Sequence, residues 1–257
     1  MYPVLIEIGS LKLYTYGLFV ALGFMVALTV SKRLAVRQKE MQPDLVTDLF
    51  FIILLSGIIG ARLFYVTVNF SYFREDPLAV FRIWEGGLVF YGGFLMAVAG
   101  VMGYLKTKKL SVYATADVLA PGIAIGHAVG RIGCFFAGCC HGKTCTLPIA
   151  LTFHHPDSLA PIGVGLHPTQ LYSVAANFTI FLILLYIGKM KKFHGMVFWT
   201  YVLLYSVSRY IIEIFRGDLR GQFLFMEIST SQGICILLFA VSLIMLGRLY
   251  KKTNDPA

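Results

Sequence analysis

Charge is what this sequence has least of. Only 14% of its 257 residues are Asp, Glu, Lys or Arg, and 13 acids face 22 basic residues. Hydrophobic side chains make up 58%, above the roughly 45–50% of soluble domains. That balance excludes an ordinary soluble domain and marks an integral membrane protein. No internal repeat or low-complexity tract breaks the chain, so one domain over residues 1–257 is expected. Residues 1–12 lack a basic start followed by an apolar core, so no cleavable signal peptide is expected. The net charge of +9 sits in short loops between apolar segments, not in a patch, which argues against a nucleic-acid partner.

What fills the sequence instead is apolar runs. Seven are long enough to cross a hydrocarbon layer of about 30 Å at about 1.5 Å per helical residue. They cover residues 15–36, 46–68, 87–105, 115–137, 169–188, 195–216 and 231–250. The fold class expected is therefore all-α, with seven transmembrane helices. The fourth run carries Pro121 and glycines at 122, 126, 130, 133 and 138. It reads as the least regular, and irregular backbone at membrane depth needs shelter. Lys32, Arg33, Arg37 and Lys39, then Lys106, Lys108 and Lys109, follow the first and third runs. Lys189, Lys191 and Lys192, then Arg248, Lys251 and Lys252, follow the fifth and seventh. Thirteen of the 22 basic residues thus fall on one side. Lys12, Arg74, Arg82, Lys143, Arg216 and Arg220 fall on the other. The positive-inside rule places the N-terminus outside and the C-terminus in the cytoplasm.

Three arginines, Arg62, Arg131 and Arg209, lie inside apolar runs. A charge in hydrocarbon costs several kcal/mol (about 2.5–3.5 on insertion scales), so each needs a partner or a function. Acids are too few there to pair them all, and a phospholipid headgroup is the nearest anion. Arg209, Glu213 and Arg216 are spaced to share one helical face; an Arg209–Glu213 pair either satisfies itself or aims Arg209 at a ligand. Arg62 reads equally as a headgroup contact or a structural pair. His127 lies one turn before Arg131, as base, hydrogen-bond partner or core histidine. Tyr91 sits between Gly86–Gly87 and Gly92–Gly93, which leave room around it. Thr169 or His167 is placed to cap the helix after Pro168. Residues 69–87, with Tyr72, Phe73, Phe81 and Trp84, read as an amphipathic segment in the outer interface.

Four of five cysteines crowd into GRIGCFFAGCCHGKTC, residues 130–145. Their spacings do not match the paired pattern of structural zinc, so no metal is expected. Small packing residues, an outer disulfide such as Cys140–Cys145, or a nucleophilic thiol near Lys143 and Arg131 are the alternatives.

Six blocks in order carry a resemblance: YGLFVALGF, ARLFYV, FRIWEGGLVFYGG, GRIG, HPTQLY and SRYIIEIFR. Together they resemble the bacterial prolipoprotein diacylglyceryl transferases over most of the chain. The resemblance implies transfer of a diacylglyceryl group from phosphatidylglycerol to the lipobox cysteine of lipoprotein precursors. It implies as partners phosphatidylglycerol, precursor signal peptides and membrane lipids, with no cofactor. The site would face the outer side of a bacterial cytoplasmic (inner) membrane. It places the family's essential arginines on Arg131 and Arg209, with Glu213 beside the second, its N-terminal tyrosine on Tyr16 and its motif glycine on Gly142. His127 and Tyr91 join these as catalytic candidates, and Arg62 and Arg216 as lipid-binding ones. The chain departs from the family pattern at Cys134 and Ala137, where asparagines are usual, at Cys139 for glutamate and at Tyr91 for histidine. The alternatives are a membrane thiol–disulfide exchange protein using residues 134–145, a diverged paralogue with another acceptor, or a transporter or lipid-binding protein.

Overall fold

A computed structural model describes residues 2–8, 11–218, 223–225 and 228–254; Arg220, counted above, lies outside them. Among the described residues, seven long helices fall on the seven apolar runs. They are α1 Thr15–Gln38, α2 Pro43–Val68, α4 Phe90–Thr107, α5 Val112–Ala137, α6 Thr169–Lys189, α7 Met196–Ile214 and α8 Thr230–Asn254. A short α3, Phe70–Glu75, follows α2. By length and composition α1, α2, α5, α6 and α8 can cross a membrane. Their outer faces fit that solvent: Phe51, Leu55, Ile59 and Leu63, four residues apart along α2, are all exposed. Such a stripe would be a liability in water and is ordinary against lipid. The protein is a predominantly helical membrane protein.

The chain divides into two compact units, residues 32–115 and residues 1–31 with 116–257. In the first, α2 and α4 pack at backbone distance. A Cβ on Gly92 would stand 2.6 Å from the Gly60 carbonyl, and one on Gly93 2.8 Å from that of Gly57. Gly92 and Gly93, expected to leave room around Tyr91, are used for helix contact. Residues 70–85 form α3 and two 3-10 turns, Pro77–Phe81 and Ile83–Glu85. Phe70, Leu78, Phe81 and Trp84 project outward, while Phe73 and Ala79 face in.

The second unit is built around α5. This helix runs unbroken through Pro121, so the irregular backbone expected there is absent. Pro121 is fully buried, and α5 is the most enclosed of the five apolar helices. The loss of one helical hydrogen bond is thus borne inside packed protein. Gly23 and Gly126 let α1 cross α5 closely; a Cβ on either would lie 2.6–2.7 Å from the other's carbonyl oxygen. Ala120 and Ala124 of α5 meet Ile180 and Leu184 of α6 and Val197 of α7 in a dry core. Beside this core Asp117, fully buried, accepts the Gly195 N–H at 2.7 Å and the Phe198 N–H at 2.8 Å. Lys191 Nζ stands 3.6 Å from the same carboxylate. Asp117 is thus an N-cap for α7 supplied from another helix, at the end where the dipole favours an anion.

Among the described residues, three short antiparallel ribbons complete this unit. β1 Val4–Ile8 pairs with β2 Leu11–Tyr14, β3 Leu151–Thr152 with β4 Gly165–Leu166, and β5 Phe223–Phe225 with β6 Ile228–Ser229. Phe153, Ala160 and Leu166 form a small core under residues 138–168.

Candidate active site

Gly133 sets the first feature of the site. A Cβ there would lie 2.9 Å from Phe19 Cβ and 3.2 Å from the Tyr16 carbonyl. Only glycine lets the first turn of α1 settle on α5, and this brings Tyr16 within electrostatic reach of Arg131, Cys134, Cys139 and Cys140. A Cβ on Gly130 would meet nothing within 4 Å, so open space adjoins Arg131 on that side.

Arg131 Nε donates to His127 Nε2 at 3.1 Å, one helical turn earlier. Arginine has no lone pair to offer, so His127 accepts and its Nε2 carries no proton. Among the described residues no carboxylate pairs with Arg131. His127 also lies within electrostatic reach of Arg209 and packs its ring against Tyr205, 5.4 Å between centroids.

α7 supplies the second cation group. Arg209 Nη1 meets Glu213 Oε2 at 2.5 Å, with both side chains largely buried. Ser229 Oγ donates to the other carboxylate oxygen at 3.3 Å. Arg216, just past the helix, reaches Glu213 at 3.8 Å and grips Asp218 with two parallel bonds of 2.8 and 2.9 Å. Burial opposes the charge on Arg216, but the Asp218 bonds outweigh it and raise the guanidinium's pKa further above the arginine range. The expected common face of Arg209, Glu213 and Arg216 is therefore present. Arg131 lies within electrostatic reach of Arg216. Among the described residues, three guanidiniums thus face two carboxylates and a neutral imidazole, and Arg131 is the cation without an acid.

Gly142 is a stitch between chain segments. Its N–H donates to the His167 carbonyl at 3.0 Å, and Lys143 N–H donates to that of Phe215 at 2.8 Å. A Cβ on Gly142 would lie 2.5 Å from His167 Cβ and 2.8 Å from the Phe215 oxygen. The loop could not tie α6 to the end of α7 with any larger residue. The capping expected of Thr169 or His167 is not made, since Pro168 occupies the cap. Thr169 Oγ1 instead donates to the Cys140 carbonyl at 2.7 Å, and Gln170 Nε2 to that of Cys139 at 2.9 Å.

Those two bonds fix a feature that sequence spacing did not anticipate. The sulfurs of Cys134, Cys139 and Cys140 all lie within 4.8 Å of one another. Gly138 and Cys140 both adopt left-handed backbone, φ 74° and 62°, and the chain doubles back onto the last turn of α5. Linear spacing cannot register such a turn. All five cysteines are thiols, so the Cys140–Cys145 disulfide is not formed. Thiol–thiol hydrogen bonding to Cys134 and Cys140 raises the Cys139 pKa well above the ordinary range.

Arg62 belongs to the other unit and is finished differently. Nε donates to the Val80 carbonyl at 2.9 Å, and Nη1 to those of Gly86 and Gly87 at 2.7 and 3.2 Å. Nη2 donates to those of Ala79 and Arg82 at 2.5 and 3.2 Å. A guanidinium has five N–H donors, and here all five are engaged by backbone. Of the two readings left open for Arg62, this arrangement favours the structural one. Tyr91, on the first turn of α4, is exposed with its ring edge on Phe90.

Comparison with known proteins places the chain in one family. The family model described as prolipoprotein diacylglyceryl transferase matches residues 3–248. A phosphatidylglycerol–prolipoprotein diacylglyceryl transferase from Clostridium tetani is 34% identical over 95% of this chain and 96% of its own length. Proteins of the same name from Geobacter sulfurreducens and Oceanobacillus iheyensis are 33% and 36% identical. They align over 99% and 95% of this chain, and over 97% and 86% of their own.

Proposed function

Because the chain belongs to the prolipoprotein diacylglyceryl transferase family, we infer that it transfers the diacylglyceryl group of phosphatidylglycerol to prolipoproteins. The family match crosses both compact units, which supports treating residues 1–257 as one transmembrane transferase domain. The same match leaves the thiol–disulfide exchange and transporter readings without support. The helix positions and the basic loops support a reading with seven spans, an external N-terminus and a site open to the outer side of the bacterial inner membrane.

In the reaction we propose, the sulfur of a precursor's lipobox cysteine attacks the glycerol carbon that carries the phosphate ester. A C–S bond forms, the C–O bond breaks, and glycerol phosphate leaves. The phosphodiester carries one negative charge and the departing monoester gains a second. Preorganised cations stabilise that developing charge most where water is excluded. The charge of Arg131 carries the reading, since no carboxylate among the described residues pairs with it and a phosphodiester can. Arg131 binds the phosphate through its Nη donors, with its Nε held by His127. Arg209, aimed by Glu213, stabilises the leaving oxygen, Arg216 adds field and Tyr16 contributes a hydroxyl to the headgroup. His127 has its lone pair committed to Arg131, so it positions and does not take the thiol proton. Between α7 and α8 lies an apolar hollow of about 220 Å³ lined in part by Val207, Ile211 and Phe239, where hydrocarbon is at home.

Purified protein, labelled phosphatidylglycerol and a lipobox peptide test this reading. Arg131→Ala is expected to lower transfer by roughly 100- to 1000-fold, the loss typical of a transition-state donor, while the protein still inserts. Undiminished transfer would refute the assignment.

A further inference from the structure

The thiol that reacts must first lose a proton, and the histidine beside Arg131 has its lone pair on that guanidinium. Two of the three sulfurs lie near the same arginine. Cys134 follows Arg131 by one helical turn, and Cys134 and Cys140 are both within its electrostatic reach. Arg216 approaches the Cys140 sulfur as a hydrogen-bond donor. Cys134 and Cys140 are buried. Thr169 and Gln170, each about 1% exposed, clamp the carbonyls of Cys140 and Cys139. Cys140 is held in backbone that a non-glycine residue rarely adopts. The two loop sulfurs are thereby presented to the one on α5.

Three sulfurs bound to one ion at about 2.3 Å stand about 3.8–4.0 Å apart. The observed separations, at most 4.8 Å, need a contraction of about 1 Å or less to reach that geometry. No other His, Cys or carboxylate among the described residues joins the trio, so the donor set is three sulfurs with a fourth position open. That is the arrangement of a reactive zinc site, not of a closed structural one.

We propose that Cys134, Cys139 and Cys140 form a three-thiolate site for a divalent thiophilic cation, zinc by class. Its open position binds the acceptor thiol next to the phosphate on Arg131. On loading, three S–H bonds give up their protons to solvent and three metal–sulfur bonds form; nothing is oxidised. A divalent cation on three thiolates carries one net negative charge, which the neighbouring guanidiniums of Arg131 and Arg216 favour. The acceptor then coordinates as thiolate, its proton leaving to solvent, because a metal-bound thiol is deprotonated outright. Its sulfur attacks the glycerol carbon as above and leaves the metal as a thioether, a poorer ligand. The role in transfer rests on the proposed function; the binding of the cation does not.

Cadmium titration of the reduced full-length protein in detergent tests the site by its ultraviolet sulfur-to-metal charge-transfer band. One cadmium per chain is expected, with affinity lowered about 100-fold or more in Cys139→Ser and unchanged in Cys235→Ser. Absence of the band, or equal affinity in Cys139→Ser, would overturn the site. For the role in transfer, wild-type protein stripped by chelator is compared with the same protein reloaded with zinc. The stripped form is expected to be about tenfold slower or more at pH 6.5. The gap should narrow near pH 9, where a free thiol of ordinary pKa, about 8.5, ionises unaided. Equal rates at every pH would overturn the metal's part in transfer. Lack of transfer even in the zinc-loaded protein would count against the transferase reading and leave the cadmium result standing.

Discussion

Arg62 and Arg131 are both arginines in apolar helices, but their surroundings leave them with different capacities. Around Arg62, five carbonyls from residues 79–87 engage all five donors, and Tyr65 and Phe73 flank the guanidinium at 5.6 and 5.3 Å. Around Arg131, among the described residues, a neutral imidazole takes one donor. The first arginine is a knot that closes a surface segment onto α2. The second retains both donors and charge. Within a membrane protein, the informative quantity for a buried cation is how many of its donors remain after folding, more than its depth.

The comparison breaks most directly by exchanging the two losses. Arg131→Ala removes charge from the site, and transfer is expected to fall roughly 100- to 1000-fold with the unfolding midpoint in detergent little changed. Arg62→Ala should do the opposite. It strands buried carbonyls, each worth about 1–3 kcal/mol when unsatisfied, so residues 69–87 should become open to limited proteolysis well below the wild-type midpoint. If Arg62→Ala left both midpoint and protease pattern intact while abolishing transfer, the distinction between the two arginines would fail.

A finer test concerns what holds Arg131. His127→Ala forfeits a hydrogen bond to a charged group, worth about 1.5–3 kcal/mol, and should slow transfer roughly tenfold to hundredfold. His127→Asn retains an acceptor and should recover much of that loss. A proton-accepting His127 would show no such rescue, and the acidic limb of the pH–rate profile would vanish in both variants. The smallest effect is at Cys139. Its pKa is raised by the neighbouring thiols, so the thiol form persists at pH 8 where an ordinary cysteine is partly thiolate. Iodoacetamide at that pH should label Cys139 more slowly than an unstructured cysteine peptide, and equal rates would contradict the packing of the trio.

Much of the scaffold was legible in the sequence. The helices follow from apolar runs that admit few other structures in lipid, and the face shared by Arg209, Glu213 and Arg216 follows from helical spacing alone. The hidden features depend on residues remote in the chain. Asp117 caps a helix that begins some 78 residues later, and no local pattern announces such a partner. Carbonyls have no sequence signature, so the closure of Arg62 could not be read from GARLFYV. The sulfur trio depends on a left-handed turn at Cys140, a residue type that rarely adopts it. Gly142 stood out only through the family resemblance, and its close approach to His167 and Phe215 gives the physical reason.

The central claim is that the spare charge and donors of Arg131 receive the lipid phosphate. Native mass spectrometry of wild-type and Arg131→Ala protein, offered equal phosphatidylglycerol and diacylglycerol, tests it without relying on turnover. The account predicts that wild type retains phosphatidylglycerol in preference and that Arg131→Ala loses the preference. A substituted protein that still selects phosphatidylglycerol as strongly as wild type would contradict it.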